Sequence, residues 1–171
     1  MKKIVVLFCC CFNLVLVQAQ KTITPTDTLL IEGKIKSPIS FTTAQLSQYA
    51  SVDIPDFTIL DHTGAVKKTI KGLKGFLVKQ LLEKAEPAAT SAKLLSEFYY
   101  TFIGSDGYKV VYSWNELFNT ETGNNVYIIT SKEGQPLFAF DERILVLSSK
   151  DFKTGRRYVK GLQKIVVGRV E

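Results

Sequence analysis

The chain has 171 residues, 46% of them hydrophobic, and a formal net charge of +6. That length supports one packed core and is short for two domains; the mild basic excess suits solubility or an anionic small ligand better than nucleic acid. A single histidine, and three cysteines confined to residues 9–11, leave no spaced Cys/His set of the kind that binds zinc.

Lys2 and Lys3 precede an apolar run, Ile4 to Phe12 and Leu14 to Val17, which ends in Val17-Gln18-Ala19. A positive start, an apolar middle and small residues before the break predict a signal peptide over residues 1–19, cleaved after Ala19. Asn13 interrupts the run and makes it short for a membrane span, while Val6-Leu7-Phe8 is too bulky for lipoprotein cleavage at Cys9. The expected mature chain starts at Gln20, is periplasmic or secreted, and has no membrane span. It holds no cysteine, and so no disulfide, thiolate metal ligand or cysteine nucleophile. Its net charge falls from +6 to +4, because the removed segment carries Lys2 and Lys3 and no acid.

Residues 20–28 read as a short leader and residues 29–171 as the domain. Leu29 to Lys36 alternates as a first strand, and Ser37-Pro38 turns the chain. Phe41 to Leu46 starts a small helix capped by Ser40 or Thr42. Ser51 to Leu60 is extended, with Pro55 marking an edge. Asp61-His62-Thr63-Gly64 is a turn before a strand at Val66 to Ile70. Leu77, Val78, Leu81, Leu82 and Ala85 recur at helical spacing and predict a helix over Phe76 to Ala85, ended by Pro87.

Phe98 to Ile103 and Tyr108 to Tyr112 are strands about an Asp106-Gly107 turn, a strong short-range hairpin signal because glycine supplies positive φ. A short helix opens near Trp114, with Trp114 and Phe118 on one face. Val126 to Thr130 and Ile144 to Leu147 are apolar enough to be buried on both faces. Lys150 to Tyr158 is a basic loop, Tyr158 to Gln163 a helical turn, and Lys164 to Val170 a closing strand. The sum is an α+β fold: one strand-rich domain on a single mixed sheet with short inserted helices.

Four stretches carry a family resemblance. Gly75 to Leu82 follows a Gly-x-x-Leu-x-x-Leu-Leu pattern with Val78 in place of the first leucine. Ser105-Asp106-Gly107-Tyr108 is followed by Ser113 to Leu117, Gly134-Gln135-Pro136-Leu137 forms a turn, and Arg157 to Lys160 leads into Ile165-Val166-Val167. In this order and spacing the chain from Leu29 to Glu171 resembles the molybdopterin-binding domain of the sulfite oxidase family, in a small stand-alone exported form. The resemblance implies that family's mixed α+β fold and makes molybdopterin a possible cofactor. It also implies that Asp106 and Tyr108 point into a ligand cleft.

Two departures stand against molybdenum chemistry. Where catalytic members of the family carry a metal-ligating cysteine in a Cys-x-Gly-Asn turn, this chain has His62-Thr63-Gly64-Ala65, and imidazole differs from thiolate in charge and donor strength. The family's Gly-Pro-x-Arg segment reads Phe140-Asp141-Glu142-Arg143, which keeps the arginine and adds two acids beside it. The candidate cofactor-binding residues are His62, Asp106, Tyr108, Arg143, Arg156 and Arg157, with no catalytic or metal residue among them. Arg143, Lys150, Arg156 and Arg157 would form an anion-binding rim, since guanidinium recognises phosphate and carboxylate bidentately.

Each candidate has a plainer reading. His62 is also an exposed turn histidine, Asp106 and Tyr108 a turn and a packed strand residue, and the arginines a solvated surface. Lys67, Lys68, Lys71 and Lys74 read as a soluble edge that blocks aggregation. The leading expectation is an exported, non-catalytic binding domain for a pterin or another anionic small molecule. The alternatives are a molybdenum-cofactor oxidoreductase lacking the cysteine ligand, and a structural or protein-binding domain of the cell envelope.

Overall fold

Residue alternation sets the central strands. In the computed structural model, which describes residues 22–61 and 63–171, β7 (Phe98–Gly104) buries Phe98, Tyr100, Phe102 and Gly104 and half-exposes the residues between them. It pairs antiparallel with β8 (Lys109–Ser113), so that Phe102 lies opposite Val110 and Tyr100 opposite Tyr112. On its other edge β7 pairs antiparallel with β12 (Leu162–Arg169). The parallel pairing of β12 with β1 (Thr28–Gly33), and of β1 with antiparallel β2 (Ile39–Thr42), completes a mixed five-stranded sheet ordered β2-β1-β12-β7-β8.

A second sheet stands where one was expected. It comprises β3 (Val52–Ile54), β6 (Leu73–Leu77), β9 (Val126–Lys132) and β10 (Gln135–Pro136), with β11 (Val146–Ser148) also on β9. The hairpin of β4 (Phe57–Leu60) and β5 (Val66–Ile70) is separate. Helices are short: α1 (Thr43–Leu46), α2 (Lys79–Leu82) and α3 (Trp114–Phe118). α1 opens on a capping box, in which the Thr42 hydroxyl accepts from the Gln45 N–H while Gln45 accepts from the Thr42 N–H. α3 opens the same way between Ser113 and Glu116.

Two expected elements are corrected. The helix over Phe76 to Ala85 begins too early, because Leu73–Leu77 is strand β6, bonded on both sides to β3 and β9. Sheet pairing on two edges overrides the helical spacing there, which survives in α2 and the turns that follow it to Ala85. The turn over Tyr158 to Gln163 is not helical either. Val159 and Val146 exchange backbone hydrogen bonds, Leu162 donates to Ile144, and a bend with Gly161 at φ 56° links the two, so the segment is a bridge and a bend leading into β12.

Residues 22–28 contribute to the fold. The Ser105 hydroxyl donates to the Thr24 carbonyl and accepts from its N–H, and Thr26 is buried beside a bridge to Arg143. The core is continuous across both sheets, from Leu29 and Ile31 through Phe76, Tyr100 and Phe102 to Ile128, Val146 and Ile165. Among the described residues no helix is long and apolar enough to cross a membrane.

The facing phenols Tyr100 and Tyr112 are fully buried, and neither hydroxyl has a hydrogen-bond partner among the described residues. A buried hydroxyl without a partner bears a desolvation cost that nothing repays. Tyr100→Phe and Tyr112→Phe are therefore expected to be neutral or to raise stability by up to about 1 kcal/mol in denaturant titrations. A loss of more than that would mean that the hydroxyls are bonded.

Candidate functional site

Six segments line an open cleft of about 1260 Å³. Asp61, Lys67 and Lys68 come from the β4–β5 hairpin, and Asp106, Gly107 and Tyr108 from the β7–β8 turn. Lys153, Gly155 and Arg156 come from the loop that ends in a 3-10 turn over Thr154–Arg157. Tyr158 and Lys160 follow it, Lys132, Asp141 and Glu142 close another side, and Thr22 and Ile23 reach the rim.

Local hydrogen bonds shape each wall. One Asp106 carboxylate oxygen accepts from the Tyr108 N–H at 2.8 Å and sets the turn. The Tyr108 hydroxyl then donates to the Arg156 carbonyl at 2.7 Å, joining the hairpin tip to the basic loop. On the far side of the loop the Thr154 hydroxyl donates to the Thr58 carbonyl at 2.6 Å and accepts from the Leu60 N–H at 3.0 Å. Asp61 accepts from the Thr63 hydroxyl and from the N–H groups of Thr63 and Ala65. These bonds, the Thr63 hydroxyl foremost, hold its carboxyl below the usual aspartate value and keep it charged.

Charge around the cleft is mixed, with six cations and four carboxylates in its lining. Lys132 and Glu142 pair at 2.5 Å, and Lys68 bonds Glu133. Among the described residues, Lys67, Lys153, Arg156 and Lys160 make no ion pair, and Lys160 lies over the Tyr158 ring. Positive charge free to meet a ligand therefore comes from the β4–β5 hairpin and from the loop bonded to it.

The structure brings Asp106, Tyr108 and Arg156 together along the cleft. Arg143 and Arg157 do not line it. Arg143 binds Asp27 at 3.2 Å and donates to the carbonyls of Phe138 and Phe140, with its own backbone at φ 61°. Arg157 grips both Asp151 oxygens at 2.6 Å, reaches Glu116 at 3.1 Å and covers the Tyr112 ring. Its hydrogen bonds to Asp151 push the guanidinium above its ordinary value. Lys150 also lies off the cleft lining, and His62 lies outside the described residues.

By sequence alone Lys67 and Lys68 read as a soluble edge, and Lys132, Lys153 and Lys160 carry no role. The basic character of Lys150 to Tyr158 was the one local signal for any of them. Convergence of the walls depends on the β4–β5 hairpin meeting the 154–157 turn, which no spacing announces.

Burial raises the phenols of Tyr100, Tyr112 and Tyr158 well above the ordinary value of 10.0; Glu142 and Glu133 add to the effect at Tyr158, while Arg157 opposes it at Tyr112. A group whose pKa is higher folded than unfolded contributes stability that is complete below the unfolded pKa and is lost as pH rises. Stability is thus expected to fall above pH 10.0 by about 1.4 kcal/mol per pH unit for each phenol kept neutral. Denaturant midpoints taken alongside phenolate absorbance check this, and tyrosines that all ionise at the ordinary value in the folded state would contradict it.

The fold is a strand-rich, mixed α+β arrangement consistent with the sulfite oxidase-like architecture. Among solved structures it is similar to the sulfane dehydrogenase SoxCD from Paracoccus pantotrophus, with a TM-score of 0.58 and 11% sequence identity. The match covers 82% of this chain and 37% of that one, so this chain spans little more than a third of its neighbour's length. At that identity the likeness is one of fold alone. No family model and no curated protein matches the chain.

Among the described residues there is no cysteine to offer molybdenum a thiolate. The only cysteines are at 9–11, and among the described residues no group of three or more His, Cys, Asp or Glu side chains is placed to hold a metal. Lys67, Lys153 and Arg156 offer donors that no carboxylate among the described residues pairs with.

Proposed function

We propose that this chain is an exported, non-catalytic binding domain whose cleft takes an anionic small molecule such as a pterin. The observation that carries the reading is the convergence of Lys67 from β5 with Lys153 and Arg156 from the loop bonded to that hairpin, none of them in an ion pair among the described residues. Arg156 supplies a planar donor fork and Tyr108, 40% exposed, an aromatic surface beside it. Hydrogen bonds from Tyr108 and Thr154 hold the basic loop in place before any ligand arrives, which lowers the entropy lost on binding. Export rests on the residues 1–19 pattern, and mass analysis of envelope protein starting at Gln20 would support it.

The binding test is thermal shift and calorimetry with molybdopterin, simpler pterins, nucleotides and inorganic phosphate. A true ligand at a hundred times its Kd is expected to stabilise the protein by about 2.7 kcal/mol. Arg156→Ala should weaken that ligand roughly tenfold or more, as expected for a lost charge-assisted hydrogen bond. No shift across the panel at millimolar concentration would sink the reading.

A further inference from the structure

The most exposed large apolar side chain described is Phe152, at 97% exposure, in the loop between β11 and the 154–157 turn. A flexible loop would tuck such a ring away. This one is anchored on both sides of it. The Asp151 carboxylate accepts from the Ser148 hydroxyl at 2.7 Å and from Arg157 at 2.6 Å through each oxygen, while Thr154 is tied to Thr58 and Leu60. Residues one before and two after Phe152 are therefore fixed, and the ring stands outward.

Its surroundings are cationic. Arg157 pairs with Asp151, which leaves Lys150 and Lys153 on either side of Phe152 in the chain and Arg156 beyond them, none of them in an ion pair among the described residues. One aromatic ring set among cations fits an interfacial anchor, with the ring between lipid headgroups and the cations on their phosphates.

We propose that the Lys150–Arg156 tip docks this protein on an anionic lipid surface, with Phe152 as the inserted side chain. The small apolar area favours lipid over a protein partner. A specific protein interface buries roughly 1,200–2,000 Å² with matched shape, whereas a headgroup layer accepts one ring without shape complementarity. Lys153 and Arg156 also line the cleft, but Lys150 and Phe152 do not, so variants at these two positions test docking apart from the ligand reading.

The test is flotation of the purified exported protein with phosphatidylcholine vesicles, with and without phosphatidylglycerol. Wild type is expected to bind only the anionic vesicles, and less as salt rises. Phe152→Ala should weaken binding about tenfold, the order expected for re-exposing a phenylalanine ring. Lys150→Ala should weaken it roughly fivefold. Both variants should keep the wild-type Tm, since neither side chain packs in the core. Phe152→Trp should show a blue-shifted emission on anionic vesicles. Equal binding by wild type and Phe152→Ala, equal binding to neutral vesicles, or no binding overturns the proposal. So does a protein complex that Phe152→Ala abolishes in the absence of any vesicle binding.

Discussion

Gly33→Ala is expected to destabilise the protein by about 3–5 kcal/mol, or to prevent folding, because two independent penalties fall on one residue. Gly33 ends β1 at φ 106°, a backbone region that is strained for any residue with a Cβ. A Cβ there would also collide with the Val167 carbonyl oxygen, the acceptor of the Lys34 N–H at 2.8 Å. That carbonyl belongs to β12, paired in parallel with β1 in register Gly33 to Val167, so it cannot move without disturbing the five-stranded sheet. Gly134→Ala is the control. Gly134 has φ 78° but nothing within 4 Å of its would-be Cβ, so only conformational strain remains, about 1 kcal/mol. Urea titration of both variants separates the two terms; equal losses would show that the collision with β12 relaxes freely.

Lys132→Met is expected to cost about 3–5 kcal/mol, because it leaves Glu142 charged, buried and without its partner. The Lys132 and Glu142 side chains are 15% and 9% exposed and 2.5 Å apart, and the lysine also sits over the Phe140 ring at 4.4 Å. A charge so far from water is stabilised chiefly by its partner, so removing one side costs more than removing both. The double variant Lys132→Met, Glu142→Leu should therefore recover most of the loss. A double-mutant cycle with a coupling of several kcal/mol supports this account, and additive losses would refute it. The exposed pair Lys74–Asp53, by contrast, should show a coupling under about 1 kcal/mol.

These two expectations draw on different layers of the molecule. The strain at Gly33 involves a parallel partner more than a hundred residues away, and the Lys132–Glu142 pair joins the end of β9 to the segment after the Leu137–Ala139 turn. Neither could be read from neighbouring residues. The Asp106-Gly107 turn could, because its steric reasons are local: Gly107 takes φ 81° and Asp106 closes the turn through the Tyr108 N–H. The same holds for the Thr42 and Ser113 caps, whose partners are three residues away.

The cleft was legible only in part. Asp106, Tyr108 and Arg156 were singled out from sequence and line one cleft, while Arg143 and Arg157 were singled out by the same reasoning and are committed to Asp27, Asp151 and Glu116. Residue type cannot say which guanidinium has a carboxylate within reach. The sequence by itself determined the strand-rich composition, the central hairpin, a cap for α1 at Ser40 or Thr42 and the confinement of cysteine to residues 9–11, since each depends on residue identity or on neighbours a few positions apart. Only the tertiary structure decided the split into two sheets, the extended state of Leu73–Leu77 and which cations remain without an ion pair beside the cleft, because each depends on backbone pairing or charge pairing between residues distant in the chain.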